Sequence, residues 1–282
     1  MLRLPRSAML AERKRVLMRC KTYPSPSASY VETSCVAGME HTGKLIRLFP
    51  VPFRLVSDEQ QFRKWQWITA RVRKTREDNR PESHRISVDT IELLGEPLSP
   101  RNEWGERRQA IAPLEIFTSF AALDAARETR GISLGLLRPQ RLIDLLITRA
   151  DTPEWTPEEK AKLMQAQTQG SLFDQHDEQK SLKLLKKLPF DFHYVYACES
   201  DGIATTHKHK LVDWEAGALF WNVHRKQDWQ KLFRQKYLVE FSTKDLLFLM
   251  GTIHRFPKQW LIVGVIYPPK PLAAQAGQGE LF

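Results

Sequence analysis

A stretch in the C-terminal half of the chain, YACESDGIATTHKHKLVDWEAG at residues 196–217, concentrates side chains that bind metals or transfer protons. Cys198 and His207 are nine positions apart, and Asp213 precedes a run that predicts a helix. Zinc takes four nitrogen or sulfur ligands in structural sites, or three plus a water in hydrolytic sites. With His254 as a third ligand, Cys198 and His207 would form an open zinc site that activates its bound water.

Two other interpretations of these residues stay open. In one, the thiolate of Cys35 or Cys198 is a nucleophile activated by His207 or His254, and Asp213 orients the base. In the other, the residues are structural: Cys198 is a buried strand cysteine and Asp213 caps a helix. The chain has no CxxC or HExxH pattern. The residues therefore form a site only if the fold brings His254 or Cys35 to Cys198 and His207.

Basic and aromatic side chains alternate in a second segment, which predicts contact with a nucleic acid. Guanidinium groups neutralise phosphates, and exposed aromatic faces stack on bases. In WQWITARVRKT (65–75) the basic residues fall on one face of a predicted strand and the apolar residues on the other. The alternative is a solvated basic face with tryptophans in the core. The candidate contacts are Arg54, Arg63, Lys64, Trp65, Trp67, Arg71 and Arg73.

The overall charge favours the same type of partner. The 282 residues carry a formal net charge of +10, with a pI of 9.6, which favours a polyanion. Nucleic acid is favoured over a membrane surface, because no amphipathic basic anchor is visible and the longest apolar runs are too short to span a bilayer. The three cysteines are widely spaced, which argues against a secreted disulfide framework. We expect a cytoplasmic protein.

The pattern of elements predicts an α+β fold in two abutting halves. Short strands with basic faces predict a β-rich N-terminal half, either a small barrel of the oligonucleotide-binding or a similar type or a curved sheet. A mixed α/β C-terminal half carries the candidate site. The expected segments are a dispensable extension (1–17), the nucleic-acid-binding half (18–150), a helix and flexible linker (151–188), the α/β half (189–269) and a disordered tail (270–282).

Two nearly identical pentapeptides, QGSLF at Gln169–Phe173 and QGELF at Gln278–Phe282, lie in segments expected to be flexible. Both resemble the Q-x-[SD]-L-F peptide with which bacterial proteins dock on the replication sliding clamp. Glycine at the second position departs from the usual leucine of that peptide. The resemblance implies the sliding clamp as a further partner.

Longer phrases carry a resemblance to one group of bacterial proteins. They include KTYPSPSASYVETSCVAG, KLIRLFPVPFR, DNRPESHR, SLGLLRPQR, HKHKLVDWE and GTIHRFPKQWLIVGVIYPP, and they run from about Arg19 to Pro269. The group is associated with DNA-modification and phage-defence gene clusters. The chain is similar to the DpdC component of the 7-deazaguanine DNA-modification system.

This resemblance implies DNA, more than RNA, as the nucleic acid, and hydration of the nitrile on 7-cyano-7-deazaguanine in DNA to the amide. That reaction needs a positioned water or thiolate, a proton donor for the nitrile nitrogen, and extrusion of the base. The routes are attack by a zinc-bound hydroxide or by a cysteine, both using Cys198, His207 and His254. The alternative function is a non-catalytic nucleic-acid-binding subunit of a defence or modification complex.

Overall fold

A computed structural model describes residues 11–26, 32–51, 57–74, 77–159, 161, 186–200 and 202–271. The N-terminal part is built from strands, with a short 3₁₀ turn at Asp58–Gln60 before the fifth. The strands are β1 (Glu12–Lys21), β2 (Ser25–Pro26), β3 (Glu32–Glu40), β4 (Leu45–Val51), β5 (Trp67–Arg73) and β6 (Ser83–Leu94).

These strands close into a small barrel. β1 pairs with both β3 and β5, so the ring β1-β5-β6-β4-β3 returns to its starting strand, and β2 extends it beside β3. Within the ring, β4 and β6 run parallel and the other described pairs run antiparallel. This is the strand order of the oligonucleotide-binding barrel. The prediction of a β-rich N-terminal half forming a small barrel or curved sheet is confirmed.

The alternation in β5 shows why this segment is a barrel strand. Ile68, Ala70 and Val72 point into the barrel core, while Arg71 and Arg73 are exposed. Successive side chains of a strand face opposite sides, so an apolar residue at every second position matches a barrel with a filled interior. The predicted strand with one apolar and one basic face is confirmed.

The C-terminal part is a sheet of seven described strands flanked by helices. Its strand order is β7-β8-β12-β13-β11-β10-β9, and α1 (Arg101–Ile111) connects it to the barrel. The strands are β7 (Ile116–Phe117), β8 (Leu134–Leu137), β9 (Arg141–Arg149), β10 (Phe190–Ser200), β11 (Ile203–Leu211), β12 (Leu247–Thr252) and β13 (Trp260–Ile266). The helices are α2 (Phe120–Arg130), α3 (Trp214–Val223) and α4 (Trp229–Arg234), the last continued by a π-helical turn, Gln235–Glu240.

The seven-stranded sheet separates two apolar layers. One face packs under α2, α3 and α4 around residues such as Tyr194 and Phe248. The other face packs on the barrel, where Leu134 and Leu249 belong to the same buried apolar cluster as Ala37 of β3. The predicted α+β class with a mixed C-terminal half is therefore confirmed.

The covered part of the barrel includes the outer face of β3 and β4. Ala37 and Met39 of β3 belong to the apolar layer shared with the second sheet, and Arg47 of β4 is also buried there. In oligonucleotide-binding barrels this face, on the second and third strands, is the one that holds the ligand. A nucleic acid would have to use another surface of this barrel.

The division between the halves differs from the sequence-based one at residue 150. β7, β8 and β9 belong to the second sheet, because β8 pairs with β12 and β9 pairs with β10. A β-rich composition does not indicate which sheet a strand will join. The strand β1 begins at Glu12, inside the segment 1–17 that was expected to be dispensable, and its Val16 and Leu17 are buried.

Other expected segments lie partly outside the described residues. These are most of the helix and linker at 151–188, the tail after 271 and both clamp-like pentapeptides. None of the helices in the described ranges has the length and apolar character needed to cross a membrane.

Candidate active site

A cavity of about 890 Å³ lies where the barrel meets the second sheet. Its walls come from the end of β1, the turn before β5, the first turns of α3, and the π-helical turn with the residue that follows β13. Its lining includes Lys64, Asp213 and Glu215, three further cations, and the aromatic rings of Trp214 and Tyr267. A volume of this size accommodates a nucleotide-sized ligand.

Asp213 is fixed at the start of α3 by main-chain donors. As N-cap it accepts from the Glu215 N–H at Oδ1 (2.9 Å), and its Oδ2 accepts from the Val265 N–H on β13 (3.1 Å). Burial raises the pKa of Asp213 to about 6, although Lys64 and the main-chain donors oppose the rise. At neutral pH Asp213 is therefore mostly deprotonated. Its pKa also lies close to the surrounding pH, as a general base requires.

Lys64 supplies the opposite charge. Its Nζ donates to Glu215 Oε2 (2.6 Å) and to the Val265 carbonyl oxygen (3.1 Å), and its side chain is 18% exposed. Burial by itself would lower the pKa of Lys64, but the carboxylates of Asp213 and Glu215 outweigh it and raise the pKa. Lys64 is thus held as a cation in the same cavity as the Asp213 carboxylate.

An aromatic stack continues from the cavity wall into the protein. The ring of Tyr267 meets Trp104 edge-on (5.3 Å between centroids), and Trp104 meets Trp65 in the same way (5.4 Å). Trp65 and Trp104 have φ angles of 69° and 66°. Positive φ angles are rare for bulky residues. Unfavourable backbone angles persist only where surrounding contacts enforce them, and they cluster at functional sites.

A buried arginine lies against this stack. Arg19 is 1% exposed, its guanidinium carbon lies 3.6 Å from the centre of the Trp65 ring, and neither Nη1 nor Nη2 has a hydrogen-bond partner among the described residues. Burial, with Arg107 nearby, lowers the pKa of Arg19 to about 9. The ring face attracts the cation and replaces part of its lost hydration. Strain and an unpaired charge therefore lie together next to the cavity.

The comparison with known families divides the chain where the structure does. Residues 12–113 match a domain of unknown function, DUF8758, and residues 116–282 match another, DUF8757. The second match covers more than half of the chain. The chain belongs to the DUF8757 family. No match is found among the curated proteins. The DUF8758 part thus holds the barrel and α1, and the DUF8757 part holds the seven-stranded sheet, with the cavity between them.

The zinc ligands predicted in the DUF8757 part do not come together. Cys198 is fully buried in β10, His207 lies on β11 with its Nε2 bonded to Thr205 Oγ1 (2.9 Å), and His254 is exposed in the turn after β12. The described residues hold no group of three or more histidine, cysteine or acidic side chains placed to bind a metal. Zinc stays a prediction without a ligand set in the described part of the chain.

The predicted thiolates lie in environments that disfavour charge. Burial raises the pKa of both Cys198 and Cys35, and in Cys35 it outweighs the nearby Arg47 and Arg80. Cys35 belongs to the barrel, on β3. Of the predicted catalytic residues, Asp213 is the one that lines the large cavity.

Sequence reasoning did not place the two residues that accompany Asp213 in the candidate catalytic site. The sequence predicts that Lys64 contacts nucleic acid, and it assigns no role in the site to Glu215. Their ion pair joins positions 151 residues apart, so no local pattern indicates it. One feature of the sequence could have pointed to Lys64. It is a charged residue inside RKWQW, next to residues that predict a strand with a buried face.

The predicted nucleic-acid contacts divide between the cavity and the barrel surface. Lys64 lines the cavity, Trp65 is buried and therefore unavailable for stacking on a base, and Arg63 is exposed at the cavity rim. Trp67 is half-buried, and Arg54 lies outside the described residues.

The remaining two, Arg71 and Arg73, form part of a basic face on β1, β5 and β6. Arg71 lies directly opposite Arg13 of β1, and Arg73 lies opposite Arg85 of β6. Like charges in directly opposed positions destabilise a sheet. Arg13 pairs with Glu92, whereas Arg71 and Arg73 have no side-chain partner among the described residues. This exposed face is suited to a polyanion.

Proposed function

We propose that this protein is a cytoplasmic enzyme that acts on a nucleic acid and modifies a base held in the cavity between the barrel and the second sheet. The observation that carries the proposal is the group Lys64, Asp213 and Glu215, an acid–base arrangement in a cavity of about 890 Å³. Enzymes that act on a base inside DNA extrude it into a pocket of this kind.

The reaction that these groups fit is hydration of a nitrile, which the resemblance to DpdC implies for 7-cyano-7-deazaguanine in DNA. Asp213 removes a proton from a water whose oxygen bonds to the nitrile carbon. Lys64 gives a proton to the nitrile nitrogen as its charge develops. The resulting imidic acid tautomerises to the amide, and transfer of the proton from Asp213 to Lys64 restores both groups. One water is added overall.

The charges around the cavity support an anionic polymer as substrate. Arg63, Lys21 and Lys236 surround or line the cavity, and β5 leads directly from it to the exposed Arg71 and Arg73. A strand of DNA bound along β5 would place a neighbouring extruded base at the cavity. Phosphate contacts of this type set position and affinity, while the cavity selects the base.

The test is incubation of the purified protein with DNA that contains 7-cyano-7-deazaguanine, followed by digestion and mass analysis of the nucleosides. We expect the modified nucleoside to gain one water. Lys64→Met should abolish the gain, and Lys226→Gln, which removes an exposed lysine outside the cavity, should not. A full gain with Lys64→Met would contradict the proposed acid. Cys198→Ser separates the routes, because loss of the gain in that variant would favour the thiolate route.

The second candidate is a non-catalytic nucleic-acid-binding subunit. The observation that favours it is the basic face of β1, β5 and β6, which needs no cavity to bind DNA. DNA binding without any mass gain would support this candidate.

Docking on the sliding clamp belongs to the same proposal: deletion of Leu281 and Phe282 together with Leu172 and Phe173 should abolish capture by the clamp.

A further inference from the structure

A second cavity, of about 450 Å³, lies on the far side of Phe241 from the first. It is formed by the turn between β8 and β9, the segment after the π-helical turn, and the chain after β13. Its floor is apolar, with Leu142 and Leu246. Its charged lining consists of four cations and one carboxylate: Arg138, Arg141, Lys244, Lys270 and Asp245.

The one carboxylate is already engaged. Asp245 Oδ1 lies 3.0 Å from Arg138 Nε, and its Oδ2 lies 3.7 Å from Arg108 Nη1, so two arginines share it. Arg141, Lys244 and Lys270 have no side-chain partner among the described residues. Three cations therefore converge on one cavity without a balancing anion. Their mutual repulsion would be relieved by an anion bound between them.

The two cavities are connected through an aromatic wall. Phe241 lines both, and its ring stacks on Tyr267 of the first cavity at 4.6 Å. Lys244, three residues after Phe241, forms a backbone bridge with Pro269, just beyond Tyr267. A ligand that extends past Phe241 from the first cavity would therefore meet the three free cations. Polymeric nucleic acid has this form: a base joined to phosphates on both sides.

We propose that the second cavity binds a backbone phosphate of the nucleic-acid strand whose base occupies the first cavity. This inference rests on the proposed function for the identity of the strand. Paired lysine and arginine side chains recognise phosphate by charge and by hydrogen bonds. The stacked rings of Phe241 and Tyr267 lie between the base site and the cationic site, and the buried Phe241 forms the wall that the two cavities share.

The experiment measures binding of a labelled, unmodified single-stranded DNA of about 12 nucleotides across a range of salt concentrations. Arg141→Gln/Lys244→Gln is compared with Lys226→Gln/Lys231→Gln, which removes the same charge from exposed positions outside both cavities. For single strands each phosphate contact adds about 0.7 to the slope of log K against log salt. We expect the first variant to reduce the slope by about 0.7 to 1.4, and the control variant to keep the wild-type slope.

Equal slopes for the two variants, or no binding by the wild type, would overturn the inference. A second arm adds inorganic phosphate at constant ionic strength, to separate a strand phosphate from a free one. We expect no displacement of the DNA by phosphate. Specific displacement that disappears in Arg141→Gln/Lys244→Gln would instead assign the cavity to free phosphate. Because the DNA is unmodified and no turnover is measured, failure of nitrile hydration would leave the result unaffected.

Discussion

Asp213 is buried, and main-chain N–H groups hold both of its carboxylate oxygens. Burial disfavours the charged form, and the two donors together with Lys64 favour it, so the pKa settles at about 6. The pKa of Lys64 moves upward under the same carboxylates. At neutral pH the cavity thus holds a carboxylate, Asp213, that can accept a proton and an ammonium group, Lys64, that can donate one. Two groups with such different pKa values can serve as base and acid in one reaction.

Asp213→Asn tests the base. Asparagine keeps nearly the same shape and one oxygen for the helix cap, but its NH2 group cannot accept from the Val265 N–H and cannot take a proton. We expect the rate of nitrile hydration to fall by about 10²- to 10⁴-fold. In the wild type kcat/KM should rise with pH through about 6, as Asp213 loses its proton, and this rise should be absent in the residual activity of the variant. A wild-type profile that is flat between pH 5 and 7 would contradict the assignment.

The same variant has a readout in stability. Because the folded-state pKa of Asp213 lies above its ordinary value of 3.8, the folded protein retains between about pH 4 and 6 a proton that the unfolded chain has released. Wild-type stability should therefore fall relative to that of Asp213→Asn as the pH rises through this window. Denaturant unfolding at several pH values measures the difference. A constant difference would indicate an unshifted carboxyl.

At the scale of single residues, sequence reasoning could identify Asp213 because helix caps have a local signature. It could not find the partner at Lys64, since an ion pair between the barrel and the second sheet depends on how two layers pack. The proposed site at Cys198 and His207 depended on a third ligand from elsewhere in the fold. The two residues lie diagonally on neighbouring strands β10 and β11, but the described residues hold no group of three that could bind a metal.

The strand β5 is the element that connects the cavity with the barrel surface. It begins three residues after Lys64 and ends with the exposed Arg71 and Arg73. At about 3.3 Å per residue its seven residues extend over roughly 20 Å. Several nucleotides of an extended strand could bind along this length, with one base at the cavity.

Arg71→Gln/Arg73→Gln tests this role. Removing two phosphate contacts should weaken DNA binding and lower the salt slope by about 1.4 for a single strand. The fold should be unharmed or slightly stabilised, because each arginine lies opposite another arginine. Fluorescence anisotropy against salt concentration measures the binding, and thermal unfolding measures the stability. Lys226→Gln/Lys231→Gln serves as the charge-matched control, and an equal loss in both variants would remove β5 from the binding surface.

Sequence reasoning identified most elements, since the patterns that define them are local. The alternation in β5 and the cap at Asp213 are examples, and the structure contains both. It could not show that β1 pairs on both sides and closes the barrel, nor that β8 and β9 join the second sheet. Pairing partners depend on long-range contacts that leave no periodic trace in a single sequence.

At the scale of the whole molecule, the barrel and the sheet share one apolar layer and one buried polar network. In that network Arg47 of β4 donates to Ser133 Oγ (2.8 Å) and to the Ser133 carbonyl oxygen (3.0 Å). The Ser133 hydroxyl in turn donates to Glu82 Oε2 (2.6 Å). Both charged groups belong to the barrel, while Ser133 immediately precedes β8 of the sheet. The cavity lies at this same junction, so its geometry depends on the two parts remaining in contact.

Ser133→Ala tests whether the two parts unfold as one unit. It leaves one hydrogen bond of a buried arginine and one of Glu82 unmade, which should lower the free energy of unfolding by about 1–3 kcal/mol. Ser87→Ala, the same change at an exposed barrel position, should stay within about 0.5 kcal/mol of the wild type.

Native-state hydrogen exchange then gives the decisive measurement. If the junction couples the two parts, amides in β5 and in β10 lose equal protection in Ser133→Ala, since both exchange through the same global opening. Loss of protection in β10 alone would mean that the sheet opens independently, and that the cavity exists only while the two parts are docked.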